Sequence, residues 1–339
     1  MESPRSVPLK GAFSEIAARP RTAQTVAMKA IVYDHYGAAD VLRLTEVSEP
    51  EVRPGGVLVR VRRAALNPKD ALFRKGKFRL LSGTRFPKRS GLDLAGVVVT
   101  SRSPAFLAGQ RVFGFLGEWT ALRGTLAELV ACRDNELALT PSGVEDEAAA
   151  AIALVAVTAL QALRDVAALT PGQRVLVNGA SGGVGTVALQ IARLLGAEVH
   201  SVSSAANRAL CEELGVARAW TYPAHEWKEQ APFDVIFDVF GNLDARSVRA
   251  HMTPRGRFVS TVPSARRLLR DWTSRAWGQE ERLVVVRPVR RDLELLAGWL
   301  ADGSLRAIID ARYPLVAVKD AFARLESKRA RGKIVVEVG

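Results

Sequence analysis

Cysteine is almost missing from this chain: Cys132 and Cys211 are the only two in 339 residues, with 78 residues between them. Two distant thiols exclude a disulfide framework and cannot supply the four closely spaced thiolates of a structural zinc lobe. They suit a reducing compartment, and a cytoplasmic location is the expectation. Histidine is equally sparse. His35, His200, His225 and His251 stand at no ligand spacing, so each reads as a surface or packing residue and no metal site is expected. Aromatic residues make up only 6% of the chain, and no segment interleaves them with basic side chains as a stacking groove for nucleic acid requires. The formal charge of +13 comes from arginines scattered along the whole length and reads as solvated surface, without a nucleic-acid partner. Long apolar runs are lacking too. The longest candidate, 148–163, is alanine-rich and interrupted by Thr158 and Gln161, so neither a membrane span nor a membrane partner is expected.

What remains is the composition of a globular protein, 48% hydrophobic and 24% charged, at a length that favours two domains over one core. Residues 1–27 have no apolar periodicity and no apolar signal core, and read as a disordered extension; Pro4, Pro8 and Pro20 lie beside Arg5, Arg19 and Arg21. A targeting peptide, which Glu2 and Glu15 count against, and an over-extended start stay open as alternatives.

From Met28 to about Leu139 the signals are short strands and turns. Val57, Val59 and Val61 alternate with Leu58, Arg60 and Arg62 after the Pro54-Gly55-Gly56 turn, and 94–100, 111–115 and 126–131 read the same way. Near Val144 the pattern changes. Residues 145–164 form a helical stretch, and strands at 174–178, 198–203, 217–221, 234–239, 256–262 and 283–286 then alternate with helices, the order of a doubly wound parallel sheet. Two further helices carry Leu293, Leu296, Ala297 and Leu300, and Val318, Ala321, Phe322 and Leu325; a strand at 333–338 closes the chain. The expected division is 28–150 with 288–339 as one mostly β domain, and 151–287 as an inserted nucleotide-binding domain.

The segment from Val175 to Gly185 is an apolar strand running into Gly179-Ala180-Ser181-Gly182-Gly183-Val184-Gly185 and then an amphipathic helix. Small residues let the backbone approach a diphosphate, and the helix start offers free N–H groups and partial positive charge. The next strand ends in Ser203-Ser204 followed by Asn207 and Arg208, without the acid that would hold a free ribose 2′-hydroxyl. That pattern favours NADPH, with Arg208 as an ordinary solvated helix residue the alternative.

With these motifs the chain resembles the zinc-independent quinone oxidoreductases of the medium-chain dehydrogenase/reductase superfamily, near the ζ-crystallin-like and enone reductase branches. The resemblance spans residues 28–339 and rests on Asn67-Pro68-Lys69-Asp70 with Arg74 and Gly76, Gly91-Leu92-Asp93-Leu94-Ala95-Gly96, Thr158-Ala159, the glycine loop, Phe237 to Gly241, and Arg331 to Val335. It implies a Rossmann domain and a GroES-like domain, with Asn67 bordering nicotinamide and substrate and Thr158 on the nicotinamide side. Gly179, Ser181, Gly182, Gly183 and Val184 would hold the diphosphate, and Ser203, Asn207, Arg208 and Tyr222 the adenosine ribose and its phosphate. Gly241, Ser260 and Val262 would line the nicotinamide ribose and carboxamide, and Lys333 would approach the cofactor. The resemblance further implies a homodimer joined near 283–286.

Where zinc alcohol dehydrogenases place a thiolate and Gly-His-Glu, this sequence has Asn67 and Leu92-Asp93. Where several relatives carry tyrosines beyond the Asn-x-x-Asp motif, it has Leu72 and Phe78. Lys69 is the candidate proton donor left, since burial lowers an ammonium pKa, and a solvated loop lysine is its alternative. The activity expected is hydride transfer from NADPH to a quinone or an α,β-unsaturated carbonyl. The alternatives are an enoyl-thioester reductase of a lipid or polyketide route and a non-catalytic NADPH-binding sensor or scaffold.

Overall fold

The computed structural model describes residues 27–222, 226–230, 232–262 and 281–339. Except for Ala27, the extension expected over 1–27 lies outside the described residues, as does His225.

Six parallel strands form one sheet in the spatial order Arg218–Thr221, Glu198–Ser203, Arg174–Asn178, Phe233–Asp238, Met252–Ser260 and Glu281–Leu283. The order reverses between Arg174–Asn178 and Phe233–Asp238, the point at which an open α/β sheet leaves a crevice beyond its strand ends. Both of these central strands are buried along nearly their whole length, which is why Val175 to Val177 and Val235 to Phe237 are continuous apolar runs rather than an alternation. The helix Gly183–Leu194 covers this sheet, and its chain turns back at Gly196, whose φ of 81° is easy only for glycine.

A second sheet takes strands from both ends of the chain, in the order Ile309–Pro314, Lys333–Glu337, Gly56–Ala65, Asp93–Ser101, Arg111–Phe115 and Leu137–Leu139, with Leu129–Arg133 also on Gly56–Ala65. Register shifts at Leu58/Val59 and Val61/Arg63 bend the long strand so that it serves neighbours on two sides. The alternation of Val57, Val59 and Val61 places them in the main core, while Leu58 on the other face packs with Met28, Ala30, Val32 and Leu129. A small sheet of Arg43–Ser48, Ala27–Tyr33 and Lys88–Arg89 closes that side. The architecture is thus a doubly wound Rossmann sheet beside a mostly β, GroES-like unit.

The helix Asp146–Leu160 continues through a wider π turn to Val166. Together they make a 21-residue helix long and apolar enough to cross a membrane by length and composition, correcting the expectation that no segment qualifies. Thr158 and Gln161 do not interrupt it. Thr158 Oγ1 donates to the Leu154 carbonyl (2.8 Å), and Gln161 Nε2 donates to Asp292 Oδ2 and the Arg287 carbonyl (2.9 Å each). Every residue from Ala149 to Leu163 is buried, and the helix packs against Asp93–Ser101, Arg111–Phe115 and Gly183–Leu194. Its alanines allow that close approach on all sides, which makes it the shared core of the two sheets.

Candidate functional site

The glycine loop lies at the end of the central strand Arg174–Asn178. Gly179 has φ 86°, and a Cβ there would lie 2.9 Å from the Cβ of Phe240; one at Gly185 would lie 2.3 Å from the Gly179 carbonyl oxygen. The tight turn therefore requires glycine at both ends. Ser181, Gly182, Gly183 and Val184 are only half-buried, at the start of a 12-residue helix whose first N–H groups have no intrahelical acceptor. Such a start accepts a diphosphate, and a Cβ at Gly182 would meet nothing closer than 3.6 Å, so the backbone there is open to a ligand.

A polar network ties the strand ends on both sides of the crevice. Asn178 Nδ2 donates to Asp238 Oδ1 (2.8 Å) and Asn242 Oδ1 (2.6 Å), Tyr222 Oη donates to Asn178 Oδ1 (3.1 Å), and the Gly241 N–H donates to Asp238 Oδ1 (2.8 Å). Burial pushes the Tyr222 phenol up to about 12, so it stays a donor at all physiological pH. Gly241, with φ 85°, abuts Val262, and Ser260 Oγ accepts from the Val262 N–H (3.3 Å). At the end of Glu198–Ser203, Ser203 is buried, Asn207 Nδ2 donates to Ser181 Oγ (2.9 Å), and Arg208 is exposed and paired with Glu212 (2.8 Å). Arg331 reaches the same corner, donating to the Ala206 carbonyl (3.1 Å).

Below the loop lies a buried ionic cluster. Lys333 Nζ donates to Asn67 Oδ1 (2.7 Å), Asp93 Oδ2 (2.9 Å) and the Leu66 carbonyl (2.9 Å), which uses all three of its donors. Asn67 Nδ2 donates to Asp93 Oδ2 (3.0 Å), and the other Asp93 oxygen accepts from the Leu154 N–H (2.9 Å). Asn67 caps the helix Pro68–Arg74, with its own N–H bound by Asp70 Oδ2 (2.8 Å). The glycine loop touches this cluster directly. The Gly332 N–H donates to the Ser181 carbonyl (2.9 Å), Gly182 bridges Gly332, and a Cβ at Gly183 would come within 2.9 Å of Lys333 Cδ.

Burial pushes the Asp70 carboxyl up to about 7, the Asn67 N–H and Lys333 opposing; Asp93 is shifted in the same direction by burial against Lys333. An acid whose pKa is raised by folding binds its proton more tightly in the native state, so its stabilisation is full below about 4 and is lost as pH rises through about 7. Stability is accordingly expected to fall across that window by up to roughly 1.4 kcal/mol per pH unit, and Asp70→Asn to flatten the slope. Urea unfolding at a series of pH values checks this; an unchanged slope in the variant would remove Asp70 as its source.

Lys69 lies on the first turn of Pro68–Arg74 rather than in a loop. Its Nζ sits 3.9 Å from the centre of the Trp119 ring and 5.4 Å from that of Phe73. Burial lowers its pKa, with Asp70 and Glu118 pulling the other way. Phe73, Phe78 and Trp119 pack edge to face or tilted, with centres 5.1 to 6.3 Å apart, and form an aromatic wall beside it. Burial raises the Glu118 carboxyl, but hydrogen bonds from Thr120 and Arg123 outweigh it and hold the group ionised.

The structure thus brings Asn67, Lys333 and the loop 179–184 together. It places Ser203, Asn207 and Tyr222 around the same loop, and Gly241, Ser260 and Val262 across the crevice. Thr158 is buried with its hydroxyl used inside its own helix, and Arg208 is engaged by Glu212. The Lys333 ammonium points into the protein cluster, its stem alone lying along the loop. Asp70, Asp93, Asn178, Asp238, Trp119 and Arg331 join the site beyond the residues expected of it. A polar residue ending a run of three buried apolar ones, as Asn178 and Asp238 do, is the available signal for two of them.

Two family models match the chain: an alcohol dehydrogenase GroES-like domain over residues 53–142 and a zinc-binding dehydrogenase over 214–336. The chain is 33% identical to the NADPH-dependent alkenal/one oxidoreductase, chloroplastic, of Arabidopsis thaliana, across 91% of this chain and 79% of that protein. It is 29% identical to a mitochondrial NAD(P)H oxidoreductase of Mus musculus, across 94% and 91%. The quinone oxidoreductase of Coxiella burnetii superposes with a TM-score of 0.84 at 26% identity, covering 93% of this chain and all of that one. The expected cytoplasmic location does not stand, because these relatives are named as chloroplastic and mitochondrial proteins.

The residues present do not fit the zinc that one model's description names. Among the described residues no group of three or more His, Cys, Asp or Glu is placed to hold a metal, and Cys132 and Cys211 are both buried. The Lys333 ammonium already supplies the positive charge between Asn67 Oδ1 and Asp93 Oδ2 that a cation would bring.

Proposed function

This chain belongs to the medium-chain dehydrogenase/reductase superfamily as an NAD(P)H oxidoreductase of its zinc-independent branch, and from that membership we propose that it uses NADPH to reduce quinones or α,β-unsaturated carbonyls. The observation that carries the proposal is the contact between the half-buried glycine loop at the sheet's switch point and the Asn67–Asp93–Lys333 cluster. When bound, the reduced nicotinamide supplies a hydride to an acceptor already activated by conjugation.

The chain's own residues then bind, align and exclude water. Gly179 and Ser181 to Val184 hold the diphosphate; Ser203, Asn207, Arg208 and Tyr222 receive the adenosine ribose and its phosphate. Gly241, Ser260, Val262 and Thr158 border the nicotinamide end. Asn67 is held rigid by Lys333, Asp93 and Asp70 at the substrate side, and Lys333 positions it through its ammonium. Lys69 keeps a proton at Nζ against the Phe73, Phe78 and Trp119 wall and delivers it to the reduced product. The working division is 28–150 with 288–339 as the substrate domain and 151–287 as the nucleotide domain, and a homodimer through the edge near 283–286 is part of the same proposal.

Stopped-flow oxidation of NADPH with a panel of quinones, enals, enones and enoyl thioesters is the test. Turnover with free quinones or enones is expected, whereas tight NADPH binding with no turnover would replace this reading by a non-catalytic one. Lys69→Met is expected to lower kcat about a hundredfold and remove one limb of its pH profile. Unchanged kinetics in that variant would exclude Lys69 as the proton source.

A further inference from the structure

Between Asp70 and Asp93 the sequence holds seven basic residues and no acidic one. Three of the seven are engaged within the fold and a fourth is half-buried. Arg74 and Lys75 pair with Glu326, Lys88 donates to the Ser82 and Thr120 carbonyls, and Arg89 is half-buried. Lys77, Arg79 and Arg85 are exposed and have no acidic partner among the described residues. Among them, on the short helix Arg79–Ser82, stand Leu80 at 96% exposure and Leu81 at 63%. An isolated exposed leucine needs no explanation, but two in succession, nearly bare and ringed by three unpaired cations, do. The segment is anchored from behind: Tyr36 Oη donates to the Gly83 carbonyl, and Lys88 holds the Ser82 carbonyl. The leucines are therefore presented from a fixed base.

This patch adjoins the substrate side of the site. Phe78, next to Arg79, belongs to the aromatic wall with Phe73 and Trp119 on which Lys69 rests. We propose that residues 77–85 dock this protein onto an anionic lipid surface, Leu80 and Leu81 entering the acyl boundary while Lys77, Arg79 and Arg85 meet the headgroups. The charge complementarity selects this occupant: cations near an anionic leaflet gain electrostatic attraction, and apolar side chains beside them gain by burial in the interface. A second copy of this chain would set the same basic patch against itself and be repelled at this face, whatever other edge joins two copies. The consequence deepens the proposed function and rests on it: the preferred acceptors are lipophilic quinones or enones that partition into membranes and reach the aromatic wall directly. The expectation of no membrane partner concerned spanning runs alone and does not extend to such a surface.

The test is sedimentation of the full chain with vesicles of phosphatidylcholine alone or mixed with phosphatidylglycerol, a readout independent of catalysis. Binding is expected only to the anionic vesicles, to weaken with salt, and to fall about tenfold in Leu80→Ser/Leu81→Ser and in Lys77→Glu/Arg79→Glu/Arg85→Glu. Both variants should still oxidise NADPH with a short, water-soluble quinone as the unaltered chain does. Absence of binding to either vesicle would overturn the proposal. So would retained binding in the leucine variant, which would mean adsorption through general charge, or a change of that variant from dimer to monomer, which would mean that a second copy covers the patch. Failure of quinone turnover with vesicle binding intact would refute the oxidoreductase reading and leave the docking surface standing.

Discussion

Replacing Lys333 by methionine is expected to cost about 3–5 kcal/mol of stability, the range for stripping one partner from a buried ion pair. The ammonium bonds Asn67 Oδ1, Asp93 Oδ2 and the Leu66 carbonyl, and both Lys333 and Asp93 are buried. Methionine fills much of the stem's volume but leaves the Asp93 carboxylate with only the Asn67 amide and the Leu154 N–H. Asp93→Asn in the same background removes the stranded charge while keeping an acceptor for Leu154, so it should recover a large part of the loss. Urea unfolding of the single and double variants measures this coupling. A loss below about 1 kcal/mol in Lys333→Met would show that the cluster is not a tight ionic lock.

Ser204 is exposed at the end of Glu198–Ser203, where Asn207, Arg208 and Arg331 gather. A carboxylate there would repel a 2′-phosphate and offer acceptors to ribose hydroxyls. Ser204→Asp is therefore expected to weaken NADPH binding by about a hundredfold and leave NADH binding unchanged or tighter, roughly 2.7 kcal/mol of discrimination. Titration calorimetry with both cofactors reads it. Equal affinities for NADPH in the two proteins would place the phosphate elsewhere.

Much of the fold was legible because its strands have strong patterns. Arg111–Phe115, Arg174–Asn178 and Glu198–Ser203 have the bounds read from the sequence, since apolar runs end there at turns. Arg43–Ser48 and Ile309–Pro314 escaped notice because they contain no fully buried residue and so carry no apolar rhythm. The strand Met252–Ser260 begins four residues before its expected start, because it first pairs at Met252 with Phe233 and then resumes at Arg257 with Val235.

The site divides in the same way. The glycine loop is contiguous, so local spacing reveals it. The ionic cluster joins Asp93 to Lys333 across 240 residues, and nothing in either neighbourhood announces a partner. Once the sheet brings the two together, the low dielectric of the core makes that pairing matter more than any local motif. Arg331 opens the closing motif, but nothing near it in sequence links it to residues 203–208 until the fold brings it to the Ala206 carbonyl.

Isotope transfer would follow the hydride itself. NADPH carrying deuterium at the transferable C4 position would be mixed with the protein and a simple enone, and the saturated product analysed by mass spectrometry and NMR. One deuterium is expected at the β-carbon and a solvent-derived hydrogen at the α-carbon. A product with no label from the cofactor, or a cofactor that binds and keeps its label with every acceptor offered, would contradict the proposed hydride transfer.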